Sequence, residues 1–327
     1  MIKKDINEQD FLLAKRMVIG VCARDDEIKT ITPCLESIKN AISKLPNTEI
    51  VVCLNDYYDD IYKYLKNKHC DIKIITSFPG VICAQKAIVD SHDADFHVFI
   101  DADSIIEPDT ITKLISNFEN PAIILAYGNN IPIKSKKQSI IEKIYCLYAN
   151  QTYLTKRKYF HGRFFASKKM IFPKKSTIDL KNGEKRIPFY LKQFMKDGVL
   201  IADDIYMSYV LIQKYGTESI SESENANVYF NPIKTISDFY ESYRRTRIEI
   251  LKCNLLFPEF KTIEKNIERK TDWYKWYGIG RGEDKILWIV YLALNLFFKI
   301  YLYIEMVLSS WGIIRKKKQW KVLTTTK

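Results

Sequence analysis

The 327-residue sequence has no Cys-x-x-Cys pair; its seven cysteines, at 22, 34, 53, 70, 83, 146 and 253, stand singly. An odd, scattered set argues against a disulfide framework and a cysteine zinc site, and points to reduced thiols in a cytosolic compartment. The leader, residues 1–16, has no apolar core of the kind a secretory signal needs, so export is not expected. Cys22-Ala23-Arg24-Asp25-Asp26 contains no glycine, which argues against the Gly-rich phosphate loop of a nucleotidyltransferase. Gly278-Ile279-Gly280-Arg281-Gly282 comes too late in the chain to be a dinucleotide fingerprint. Internal repeats and low-complexity tracts are also missing. Negative charge is in the minority: 51 Lys and Arg against 39 Asp and Glu leave +12. A basic surface suits nucleic acid, anionic lipid or phosphorylated substrates, and with no nucleic-acid motif present, no nucleic-acid partner is expected.

What is there alternates. Short apolar runs at 17–22, 49–54, 72–75 and 97–100 read as strands, and helical spacing of apolar residues marks 30–44, 59–68, 81–90 and 109–118 as helices. Strands and helices alternating about every 25 residues imply a doubly wound, mostly parallel α/β sheet with helices on both faces. Further on, 123–128 and 228–230 read as strands, and 139–155, 205–215 and 237–252 as helices. Ligands of such sheets bind beyond the C-terminal strand ends. The loops there carry Arg24-Asp25-Asp26-Glu27, Asn55-Asp56 and Asp101-Ala102-Asp103.

Asp101 and Asp103 follow the buried-looking run His97-Val98-Phe99-Ile100. If the strand continues through them, both project from one face, about 6–7 Å apart along the backbone. Converging carboxylates repel unless a cation neutralises them, and hard oxygen ligands suit Mg²⁺ or Mn²⁺ completed by substrate phosphate oxygens. A second pair, Asp203-Asp204, opens the later helix. Stabilisation by the helix dipole alone would account for that pair; a proton acceptor facing the first pair is the competing reading.

The order of these motifs resembles the inverting family 2 glycosyltransferases of the GT-A fold, from about Val18 to Ile248. Ile19 to Glu27 is similar to the family's first strand and loop, and Val51 to Asp56 to its second strand. Asp101-Ala102-Asp103 is similar to the metal and diphosphate motif, and His161 to Lys169 to the acceptor-side segment. Asp203-Asp204 stands where Glu-Asp is usual, and Arg244-Arg245-Thr246-Arg247-Ile248 resembles Gln-x-x-Arg-Trp. The resemblance implies a nucleotide-sugar donor, UDP-linked, contacted by Ala23, Arg24, Asp26, Glu27, Asn55, Lys86, Asp101, Ala102, Arg244 and Arg247. It implies a metal on Asp103 and Asp101, an acceptor at His161, Gly162 and Arg163, and Asp204 as base oriented by Asp203. Residues 17–128 then form the nucleotide-sugar half, and 129–252 the acceptor-binding and catalytic half. Residues 253–327 form a C-terminal helical region. The alternatives are a non-catalytic scaffold that kept the fold and, less favoured, a nucleotidyltransferase.

The stretch 286–314 is almost wholly apolar and long enough to span a bilayer, which takes roughly 20 residues. Lys299 and Glu305 interrupt it, and the basic run Arg315 to Lys321 follows. Residues 286–321 are therefore expected to associate with an anionic membrane surface, spanning it or lying on it. That places the protein at the inner face of the cell membrane, beside a saccharide or lipid-linked acceptor.

Overall fold

The computed structural model describes residues 14–55, 59–154, 160–173, 202–267 and 282–313. Most of the leader (1–13), Asp56 and the basic tail (314–327) lie outside the described residues. The first half runs β1 (Met17–Ala23), α1 (Ile28–Ile42), β2 (Thr48–Asn55), α2 (Asp59–Lys68), β3 (Lys73–Ser77), α3 (Val81–Ser91) and β4 (Phe96–Asp101). Strands apolar on both faces need cover on both. Ile19, Val21, Val52, Leu54, Val98 and Ile100 pack beneath α1 and α2, through Leu35, Ile38, Ile61 and Leu65. The alternate residues Val18, Val51, Cys53 and Phe99 pack under Ala84 and Ile88 of α3. Gly20 permits that second layer: a Cβ there would come within 2.8 Å of Ile88 Cδ1 and Phe99 Cε1.

The chain continues through β5 (Ser104–Ile106), α4 (Thr110–Ile115), β6 (Leu125–Pro132), α5 (Ile140–Leu154), β7 (Phe164–Ser167), α6 (Asp203–Tyr215) and β8 (Ile220–Phe230). These strands join the same sheet, in the order β3-β2-β1-β4-β7-β6-β8-β5. Pairings β1–β2, β1–β4, β2–β3 and β6–β8 are parallel, whereas β4–β7, β6–β7 and β5–β8 are antiparallel. The doubly wound α/β architecture is as expected. Two strands were not: β7 is short and flanked by basic residues, and β5 is three residues long. β8 is also longer than its apolar end, because Ile220-Ser221-Glu222-Ser223-Glu224-Asn225 is too polar to read as a strand.

A third layer closes the fold. In it α5 packs with α7 (Ile236–Leu256) and α9 (Gly282–Ser310) around Ile144, Phe239, Ile248, Phe298, Leu302 and Met306. Short α8 (Phe260–Ile267) seats Phe260 against Tyr206 and Tyr209 of α6. The buried face of α9 returns at Trp288, Phe298, Leu302, Glu305, Met306 and Ser309, while Ile286, Ile289, Leu296, Phe297, Ile300 and Ile304 are exposed. By length and composition α9 could cross a membrane. One side of it packs on the domain and the other side is apolar and faces outward.

Candidate active site

The register Cys22↔Cys53 and Cys22↔Asp101 brings the ends of β1, β2 and β4 level, so their loops share one rim. β4 ends on Asp101, and a turn through Ala102 and Asp103 leads into β5. The two acids are therefore not on one face of a continuing strand; a turn gathers them instead. Between them sits Arg163, whose Nη1 lies 2.8 Å from Asp103 Oδ1 and 3.7 Å from Asp101 Oδ2. The antiparallel β4–β7 ladder fixes that position, because the Asp101 N–H donates to the Arg163 carbonyl at 2.9 Å. The guanidinium stacks on Phe230, 4.2 Å from the ring centroid. Arg163, expected on the acceptor side, therefore sits with the metal-motif acids.

The same turn meets the second acid pair. A Cβ on Gly162 would lie 3.4 Å from Asp204 Cβ and 3.5 Å from Asp203 Oδ2, so a bulky residue there would crowd both acids. Asp203 and Asp204 open α6, and Asp204 Oδ1 accepts the Ile205 N–H at 2.8 Å. Asp203 Oδ2 accepts from Gln85 Nε2 at 2.5 Å. Burial pushes both carboxyls above the usual carboxylate range; Asp204 raises Asp203 further, while the Ile205 and Gly162 N–H groups and Arg245 pull Asp204 back down. A helix N-terminus favours ionised acids, and here desolvation outweighs it. Asp101 is also raised, first by burial and then, against the pull of Arg163, by Asp103, Asp203 and Glu27. The turn through Gly162 and Arg163, which lies against both, puts the two acid pairs in one cleft. His161 is half-buried in the turn beside them.

The remaining expected residues divide. Arg24 and Glu27 sit at the rim, where the Arg24 N–H donates to Glu27 Oε2 at 2.8 Å and its guanidinium pairs with Asp26 at 3.0 Å. Ala23 and Ala102 are core residues, so only their backbone faces the rim. Asn55 Oδ1 accepts the Gly80 N–H at 2.5 Å, tying β2 to the start of α3 at a residue whose φ of +127° suits glycine. Lys86 points away: it is exposed and pairs with Asp90 one turn along α3. Gln85, one residue earlier, is the buried side chain that reaches the acids.

The arginines of α7 correct the expectation in the same way. Arg244 is fully buried, with its Nε 2.8 Å from Glu305 Oε1 on α9. Arg247 is exposed, its guanidinium 5.4 Å from the Tyr243 ring centroid. Arg245 is the one of the three whose charge acts on the cleft residues, with Asp101 and Tyr145 and against Arg163 and Arg24. A signal for this lay in the sequence. Tyr240, Arg244 and Ile248 stand four apart, which puts Arg244 on a buried helical stripe. Tyr145 of α5, which senses Arg163, Arg245 and Asp103, had no signal of its own.

Among the described residues no group of three or more His, Cys, Asp or Glu forms a ready cation cage. Two carboxylates are nevertheless the donor set that suits Mg²⁺ or Mn²⁺ when phosphate oxygens supply the other ligands. The Arg163 guanidinium between Asp101 and Asp103 marks this as a place that attracts positive charge.

No curated protein matches the chain by sequence. Among solved structures it is similar to the mannosyltransferase PcManGT from Pyrobaculum calidifontis, in complex with GDP-Man and Mn²⁺. That likeness has 15% identity, covers 91% of this chain and 86% of that one, and has a TM-score of 0.48. It is also similar to glucosyl-3-phosphoglycerate synthase from Mycobacterium tuberculosis with Mn²⁺, UDP-glucose and phosphoglyceric acid (15%, 76% and 83%, TM-score 0.47). A third likeness is to mannosyl-3-phosphoglycerate synthase from Rubrobacter xylanophilus (12%, 84% and 82%, TM-score 0.48). At the level of sequence, residues 18–178 match the family description "Glycosyl transferase family 2". That span, a little under half of the chain, holds the β4 acids and the turn through Gly162 and Arg163.

Proposed function

We propose that the protein is a metal-dependent inverting glycosyltransferase that moves a sugar from a nucleoside diphosphate, UDP in first place, to a saccharide or lipid-linked hydroxyl. The observation that carries this reading is the turn 160–163, which touches both acid pairs: Arg163 lies on Asp101 and Asp103, and Gly162 lies against Asp203 and Asp204. Asp103 and Asp101 would hold Mg²⁺ or Mn²⁺. A bound divalent ion supplies charge stabilisation for the departing diphosphate. Arg163 and Arg245 add fixed positive charge on the same side, and arginine's planar fork suits phosphate oxygens. Asp204 removes the acceptor hydroxyl proton as that oxygen bonds to the anomeric carbon, and the bond to the diphosphate oxygen breaks with its electron pair. Burial raises its proton affinity above the ordinary carboxylate range, which makes it a stronger base than a solvated aspartate. Asp203, held by Gln85, fixes the start of α6.

The reaction belongs, on this reading, to the inner face of the cell membrane. Support comes from the outward face of α9, where Ile289, Leu296, Phe297 and Ile300 are exposed, and from the basic run that follows in the sequence. Because one side of α9 packs on the domain, the face suits lying on the bilayer rather than crossing it.

A panel of UDP- and GDP-sugars with Mn²⁺, Mg²⁺ or EDTA tests the donor, read by hydrolysis and by protection from thermal unfolding. Metal-dependent protection by one nucleotide class is expected. If no nucleotide sugar protects or turns over, the fold serves as a non-catalytic scaffold.

A further inference from the structure

Glu305 is an acidic residue on the most apolar helix of the chain, and it is 5% exposed. Both of its oxygens are engaged across the α7–α9 interface: Oε1 with Arg244 Nε at 2.8 Å and Oε2 with Tyr240 Oη at 2.5 Å. Arg244 is fully buried and also lies 3.7 Å from Glu241 on its own helix. Around this cluster the contacts are aromatic, with Tyr240 against Phe298 and Tyr301. Aromatic pairs favour certain ring geometries but hold them loosely. A charged, two-armed hydrogen bond fixes direction more tightly. Burying an ion pair brings little net stability over an apolar pair of similar volume, so stability alone does not explain its presence.

Position explains it. Arg245 follows Arg244 directly, about 100° further round α7; its charge acts on Asp101 and Asp204, while Arg244 is bonded to α9. Holding Arg244 fixes the rotation of α7, and so fixes where Arg245 enters the cleft. We infer that Glu305, through Arg244 and Tyr240, is a positioning residue that sets Arg245 against the donor diphosphate, making α9 part of the active-site framework. This rests on the reading of the cleft as a nucleoside-diphosphate site.

The test measures affinity of the full-length chain for UDP and for GDP, each with Mn²⁺, together with the thermal midpoint. Arg245→Ala removes the positioned group and is expected to weaken binding about tenfold or more. The apolar pair Arg244→Met with Glu305→Leu keeps the interface filled, so its midpoint stays within a few degrees of wild type while its affinity falls as far as in Arg245→Ala. Adding Arg245→Ala to that pair causes no further loss, because both changes remove one contribution. Tyr240→Phe, which removes one arm and no charge, gives a smaller loss in the same direction and stands as the reporter if the double variant does not fold. Wild-type affinity in the folded double variant or in Tyr240→Phe, or losses that add to that of Arg245→Ala, overturns the inference. A wild-type chain that binds neither nucleotide, or an Arg245→Ala chain that binds normally, overturns the donor-site reading beneath it.

Discussion

Asp103→Asn separates fold from function at a single oxygen. The Asp103 side chain is only 18% exposed and accepts a charge-assisted bond from Arg163 at 2.8 Å. Asparagine keeps a carbonyl oxygen in the same place, so the Arg163 contact weakens without vanishing. Hydrogen bonds to charged groups are worth about 1.5–3 kcal/mol, and losing part of one costs the fold about 1 kcal/mol. Metal binding loses more, because an amide oxygen carries no charge to set against the cation. Removing one group that stabilises developing charge costs about 10²–10³-fold in turnover. The assay is calorimetric titration of UDP in the presence of Mn²⁺, with turnover and a melting curve on the same preparation. Asp204→Asn is the control, expected to lose about 10²–10⁴-fold in turnover while keeping metal-dependent nucleotide binding. Mn²⁺-dependent UDP binding that survives Asp103→Asn unchanged refutes the assignment of this carboxylate to the cation.

Further tests use the neighbours. Lys86→Ala leaves turnover and stability near wild type, because Lys86 faces solvent, whereas Gln85→Ala leaves the Asp203 carboxylate short of a buried donor and costs about 1–3 kcal/mol in denaturant unfolding. The base must be ionised, so kcat falls as pH drops through a value above the ordinary carboxylate range; a pH–rate profile with its acid limb at 4 or below contradicts the Asp204 assignment. The folded chain holds protons on Asp101, Asp203 and Asp204 at pH values where the unfolded chain has released them. Their contribution to stability is therefore present below pH 4 and lost as pH rises through the raised values, and melting in EDTA across that window, with and without added Mn²⁺, reads it. Serine at Ile289, Leu296, Phe297 and Ile300 releases the protein from anionic vesicles with little change in melting, since all four side chains are exposed. Truncation before Ile286 is a poorer test, because it also removes Trp288, Phe298 and Leu302 from the core.

The parallel half of the sheet was legible because its strands are apolar on both faces and its helices keep a clean period. Asp59–Lys68, for example, is the range that the spacing gives. What stayed hidden depends on long-range pairing. β7 carries Phe164 and Phe165, but its four residues between basic neighbours mark no strand until β4 and β6 take them up. In the site, residue types and neighbourhoods were readable and the side-chain directions were not. On both α3 and α7 the expectation fell one or two residues from the side chain that acts on the acids. Choosing charge over helical phase selected Lys86 where Gln85 bonds Asp203, and Arg244 and Arg247 where the charge of Arg245 acts. Glu305 looked like an interruption in an apolar run because its partner lies 61 residues earlier in the chain.

The one-sided packing of α9 bears on how the protein behaves at the bench. An oily ridge on a basic body has two ways to escape water, a lipid headgroup layer or another copy of itself. Which of the two covers the ridge is read by sedimentation of the full-length chain over a range of concentrations, with and without anionic vesicles.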